Sequence, residues 1–122
     1  MAKILPFKGY HPPQSLAGVV SSPPYDTLSS DEARSMVEKN SRSFLRVIKP
    51  EVDFKKGNEP LAQDLHSRAL KNLNDYILEG NLTKDDDESF YVYQISIDQH
   101  VQTGIIAAVS IEEYNNGLIK RH

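Results

Sequence analysis

Ser89-Phe-Tyr-Val-Tyr-Gln-Ile-Ser-Ile97 and Gln102-Thr-Gly-Ile-Ile-Ala-Ala-Val109 decide the fold class. In the first stretch Tyr91, Tyr93, Ile95 and Ile97 alternate, a period of two that makes a face only in an extended chain. The second is apolar on both faces, which is the pattern of a buried strand. Asp98-Gln-His-Val101 supplies a turn, so the two predict a hairpin over about 89–109. Upstream the period changes. Leu61, Leu65, Ala69, Leu73 and Ile77 recur every four residues and predict a helix over about 60–79. Pro60 suits its first turn, Gly80 a left-handed cap, and Leu82 can fold back on the last turn. Burial of that stripe would contribute about 1.5–3 kcal/mol for each large side chain. A hairpin beside a long amphipathic helix is an α+β arrangement, with the helix expected to pack across a small mixed or antiparallel sheet.

Further strands are expected in the N-terminal half. Ser43-Phe-Leu-Arg-Val-Ile-Lys49 reads as an interior strand, with Phe44 and Ile48 bracketing Arg46 on one face and Leu45 and Val47 on the other. Pro50 ends it. Leu16-Ala-Gly-Val-Val20 is a second, shorter candidate. Pro6 would break a central ladder, so Lys3-Ile-Leu-Pro-Phe-Lys8 belongs at an edge or in a loop. Ser21-Ser-Pro-Pro-Tyr-Asp-Thr27 is a stiff loop, because consecutive prolines fix their own backbone and keep their predecessors extended. Between these lies a helix over about 29–39, opened by a capping box of Ser29 and Glu32 and stopping near Asn40. Ser110 and Glu113 repeat that pattern and open a short helix that Asn116-Gly117 closes. The residues from Leu118 onward read as the start of a further element. The expectation is a single domain, 1–122, that forms an N-terminal fragment or module of a longer protein.

Composition limits the function classes. Leu, Ile, Val and Phe make up 32 of 122 residues, about 26%, above the roughly 20% below which chains stay disordered. The core is therefore lean but sufficient. There is no cysteine, which removes a disulfide framework, a thiolate nucleophile and any Cys-ligated metal. No apolar run approaches the roughly 18 residues of a membrane span, and no long apolar signal region opens the chain. These features fit a cytoplasmic protein with no membrane partner. Residues 1–50 hold seven bases and four acids (+3), and 51–122 hold seven bases and thirteen acids (−6). With no basic stripe interleaved with aromatics, a nucleic-acid partner is not expected.

Local motifs for catalysis are scarce. The histidines His11, His66, His100 and His122 lack helical metal-site spacing, and Asp85-Asp-Asp-Glu88 lacks the glycine and spacing of a calcium loop, so it reads as a solvated turn. No metal site is expected. The glycines are isolated, so neither a phosphate loop nor a dinucleotide fingerprint can be placed, and no serine sits in a nucleophile elbow. Two loops draw interest. Ser22-Pro-Pro-Tyr-Asp26 can hold the Tyr25 phenol and the Asp26 carboxylate in place at low ordering cost. The plainer reading is a Pro-locked turn in which Asp26 accepts backbone amides. Lys49-Pro-Glu51 lies at the end of an expected strand, where ligands often bind in open sheets, although a simple strand terminator explains it as well.

Taken in order, Pro6-Phe-Lys-Gly9 with Pro12-Pro13, Ser22-Pro-Pro-Tyr-Asp26, Ser43-Phe-Leu-Arg-Val-Ile-Lys-Pro-Glu51, Thr103-Gly-Ile105 and Ile119-Lys-Arg-His122 form a set. The set resembles the N-terminal part of a bacterial and archaeal family catalogued as a domain of unknown function, whose members are considerably longer. The resemblance runs from about residue 3 to the last residue. Well downstream, the longer members carry an Asp-Gly-His-His-Arg motif similar to the signature of ParB-like free-serine kinases, and this sequence does not contain it. What the resemblance implies for a full-length member is nucleotide-dependent phosphoryl transfer using ATP or ADP with Mg²⁺; the present chain is then not catalytic alone and carries no cofactor itself. On this reading Tyr25, Asp26, Lys49, Glu51, Lys120, Arg121 and His122 line a composite site. Asp26 would accept a substrate hydroxyl or hold Mg²⁺, and Lys49, Lys120 and Arg121 would meet phosphate. The expected partner is the remainder of the longer protein. A different class of function, a protein–protein assembly module, follows from the strand that is apolar on both faces, which at an edge would invite a homo-oligomer through strand pairing.

Overall fold

Ser29 and Glu32 form the reciprocal cap that their spacing predicts. The Ser29 hydroxyl accepts from the Glu32 amide, and the Glu32 carboxylate accepts from the Ser29 amide, at the start of the helix Ser30–Lys39. In the computed structural model, which describes residues 1–120, the elements in chain order are β1 (Ile4–Leu5), β2 (Tyr10–His11), α1 (Ala17–Val20), α2 (Ser30–Lys39) and α3 (Leu45–Ile48). They continue with α4 (Ala62–Leu78), β3 (Thr83–Lys84), β4 (Tyr91–Ile97), β5 (His100–Ile106), β6 (Ala108–Val109) and α5 (Ile111–Asn115). The fold is α+β with small antiparallel sheets, one long helix and a hairpin in the C-terminal half. The chain forms two compact units, one from 1–10 with 84–122 and the other from 11–83.

In the unit of 11–83, helices replace two expected strands. Residues 43–49 are not an interior strand: Leu45–Ile48 is a helical turn, and Pro50–Asp53 continues as a 3-10 turn. The reason lies in the spacing of the apolar side chains. Phe44 and Val47 pack with Val20, Tyr76 and Leu82, whereas Leu45 and Ile48 pack with Ala33 and Val52. Each pair is three residues apart, so a helical turn sorts four apolar residues between two clusters, which the alternation of a strand cannot do. The stretch 16–20 is likewise helical, with Leu16 and Val20 four residues apart in the same cluster. The Phe44 amide donates to the Val20 carbonyl at 2.8 Å and ties the two turns together.

The long helix runs over Ala62–Leu78, but the face it buries is rotated from the expected stripe. Leu61, at the N-cap, is 81% exposed, while Asn72 and Tyr76 are buried and Leu73 and Ile77 pack at the edge of the cluster. The polar tips are satisfied, which is what allows Asn72 and Tyr76 inside: the Tyr76 hydroxyl donates to the Ser43 carbonyl at 2.7 Å. Gly80 has φ +75°, as a left-handed cap requires, and the buried Leu82 donates its amide back to the Tyr76 carbonyl.

In the other unit, β4 and β5 pair antiparallel from Tyr91↔Ile106 to Ile97↔His100. The turn is two residues, Asp98 and Gln99, tighter than the four expected, and Asp98 adopts φ +52°. The second strand is not buried. Every residue of His100–Ile106 is exposed, because β4 and β5 form a sheet of only two strands. The last part of the expected strand is separate: Ala108–Val109 pairs with Ile4–Leu5. The N-terminal segment thus lies at a sheet edge, as Pro6 dictates, and Phe7 bridges Ser89. Ser110 caps α5 by accepting from the Glu113 amide, and Gly117 ends it at φ +73°. Among the described residues no helix is long and apolar enough to cross a membrane.

Candidate functional site

Of the seven expected site residues, Lys49 and Glu51 are brought together. Pro50 opens the 3-10 turn after α3, so the side chains on either side of it return toward one another. Lys49 Nζ lies 3.2 Å from Glu51 Oε1, with the two side chains 14% and 21% exposed. The Ser30 hydroxyl, in the first turn of α2, donates to the same oxygen at 3.0 Å. Burial pushes the Glu51 carboxyl up, but bonds from its own backbone amide, Ser30 and Lys49 outweigh it and hold the group below the usual carboxylate range. Glu51 is therefore ionised at neutral pH and a weak base, and it is suited to holding Lys49 and Ser30 in place.

Tyr25 and Asp26 stand on a 3-10 turn, Tyr25–Thr27, entered from an extended Pro24 at φ −56° and ψ 140°. Thr27 locks the turn, donating its hydroxyl to the Pro24 carbonyl at 2.8 Å and its amide at 3.2 Å. Among the described residues no backbone amide donates to Asp26, so the expected backbone-accepting turn is not seen there. Tyr25 and Asp26 are both exposed, and among the described residues no hydrogen bond or ion pair joins them to Lys49 or Glu51. The four residues from Asp26 to Ser30 tether the turn within about 14 Å of the Ser30–Glu51–Lys49 cluster. Lys120, in the other unit, is exposed beside a shallow concavity of about 500 Å³ that it lines with Tyr114, Asn115, Gly117 and Ile119. Arg121 and His122 lie outside the described residues.

Sequence reasoning missed a second network in the same string. Arg46 grips Asp53 with Nε on one carboxylate oxygen at 2.8 Å and a terminal nitrogen on the other at 3.3 Å. Arg68 approaches Asp53 at 3.9 Å and lies 5.2 Å from the centre of the Phe54 ring. Alongside, Arg34 bonds Asp31, Glu59 and the Phe54 carbonyl, and borders a cleft of about 420 Å³ over Val37, Val52 and Phe54. The sequence carried no signal for this network, because Asn72 lies outside the expected apolar stripe and among Arg68, Asn74 and Asp75 it reads as one more solvated polar residue.

Lys49 is already paired, and among the described residues no group of three or more His, Asp or Glu side chains is placed to hold a metal ion. Asp85 is instead bonded by the Tyr91 hydroxyl, which pushes the Tyr91 phenol up.

No curated protein and no solved structure matches the chain. A family model described as "Protein of unknown function (DUF1015)" matches residues 4–122. That match spans nearly the whole sequence and takes in every motif considered above, and the chain belongs to the DUF1015 family of proteins of unknown function.

Proposed function

We propose that this chain is a scaffold module that supplies one wall of a composite ligand site and holds no complete reaction centre of its own. The observation that carries the reading is the Lys49–Glu51–Ser30 cluster: a cation and a hydroxyl each within 3.2 Å of one carboxylate oxygen, balanced in charge and only partly covered. Such a cluster is a half-site. An anionic ligand group delivered by further polypeptide would take Lys49 over from Glu51, whose place is already held by its backbone amide and Ser30. The Tyr25–Asp26 turn, stiffened by Pro23 and Pro24, stands within chain reach as a second wall.

Thermal melts of the 122-residue chain and of the complete reading-frame product, each with millimolar ATP or ADP and Mg²⁺, test this. The expected result is an unchanged melting temperature for the chain and a rise for the longer protein that Lys49→Ala reduces. Phosphoryl transfer by the chain alone at an enzymatic rate would overturn the proposal.

A second reading, an assembly module, is favoured by a separate observation. The hairpin strands leave Val92, Tyr93, Ile97, Val101 and Ile105 more than half exposed, on both faces. Surfaces of this kind mark contacts with other polypeptide.

A further inference from the structure

We propose that a second copy of the chain adds to the open edge of β4, antiparallel and centred on Gln94, so that two hairpins make one four-stranded sheet. The proposal rests on the assembly reading above. Among the described residues β4 pairs with β5 alone, over a ladder with no bulge. Natural edges of such length are blunted by charge, proline or a bulge. This one carries no Asp, Glu, Lys, Arg or Pro in either strand.

The order of residues along β4 says what fits. Laid antiparallel against itself about Gln94, Tyr91 meets Ile97 of the second copy, Tyr93 meets Ile95, Val92 meets Ser96, and Gln94 meets Gln94. Four aromatic–β-branched pairs then line one face, the combination that stabilises cross-strand neighbours most, and no like charges oppose. A one-residue slip of register sets Tyr93 opposite Ser96 and Ile95 opposite Gln94, and a centre on Tyr93 or Ile95 pairs only five of the seven strand residues, so the register centred on Gln94 is preferred. The edge of β5 is a poorer match to itself, because centring on Thr103 puts Gly104 against Gln102 and His100 against Ile106. A pairing that maps each residue onto its counterpart is the isologous contact of a two-fold dimer. It also takes the hairpin from two strands, marginal alone, to four.

The absence of cysteine makes the test clean. Residues directly opposite across antiparallel strands have Cα atoms about 4.5–5.5 Å apart, within disulfide range. The expected results are a dimer mass by light scattering across the micromolar range and near-complete oxidation of Gln94→Cys to a covalent dimer. A Val92→Lys/Ser96→Lys variant places ammonium groups opposite one another only in the dimer. It should give the monomer mass with unchanged circular dichroism, and mixing it with Val92→Glu/Ser96→Glu should restore the dimer. A dimer in which Gln94→Cys fails to cross-link overturns this proposal and leaves the assembly reading standing. A strict monomer overturns both.

Discussion

The Asn72 side-chain amide donates to the Asp53 carboxylate at 2.8 Å from inside the packed face of α4. The same nitrogen reaches the Arg46 carbonyl at 2.6 Å, so one buried amide fastens the long helix to both ends of the segment 46–53. That segment also carries Lys49 and Glu51, and the candidate site is therefore braced from behind. Asp53→Ala should leave Arg46 and Asn72 without their shared acceptor and cost on the order of 3 kcal/mol, read by urea unfolding. Asn72→Ala, which removes neutral donors, should cost less, about 1–3 kcal/mol.

The same carboxylate gives the fold a pH dependence. Burial pushes Asp53 up, but Arg46, Asn72 and the nearby Arg68 outweigh it and hold its folded value below the ordinary one. The unfolded chain then binds the proton more readily, so stability rises with pH through this window. The contribution is complete above about pH 4 and is lost as the pH falls below that, through the lower folded value. Melting temperatures for wild type and Asp53→Asn, taken from neutral pH to strong acid, should differ most at neutral pH and converge at the acid end. Parallel curves would contradict the assignment.

Gly9 is held against Tyr91. Its amide donates to the Tyr91 hydroxyl at 2.7 Å, and a Cβ at Gly9 would stand 2.7 Å from the end of the ring. A free phenol would swing away, but this one also bonds Asp85 and packs against Phe7 with ring centres 5.1 Å apart. Gly9→Ala should therefore cost about 1–3 kcal/mol. In a Tyr91→Val background the same change should cost far less, and a double-mutant cycle measures the difference.

Two leucines separate the observed core from the stripe that the four-residue spacing suggests. Leu45, fully buried between Ala33 and Val52, should cost about 2–5 kcal/mol on truncation to alanine. Leu61→Ala should stay within about 0.5 kcal/mol, since its side chain faces solvent. Equal losses would restore the sequence-derived stripe.

Signals that act within one turn of chain were legible beforehand. The Ser29–Glu32 box, the Ser110 cap, and Gly80 and Gly117 at positive φ all work between residues two to four apart, where no tertiary contact is needed to decide the outcome. Residues 43–49 were not legible, because Phe44, Leu45, Val47 and Ile48 satisfy a period of two and a spacing of three equally well. What decides is where Val20 and Ala33 lie in space. The site followed the same rule. Lys49 and Glu51 meet because they flank Pro50, a local fact, whereas the contacts of Arg68 and Asn72 with Asp53 depend on the docking of α4.

The chain leaves its first unit after Tyr10 and returns to it at Lys84. Translation therefore imposes a schedule. Residues 11–83 emerge from the ribosome as an uninterrupted piece and can close their clusters at once, while Ile4, Leu5 and Phe7 wait unpaired until Val109, Ala108 and Ser89 have been synthesised. The nascent chain holds its opening segment in reserve until residue 109 has been made, so a ribosomal stall before that point would strand the segment with nothing to pair against.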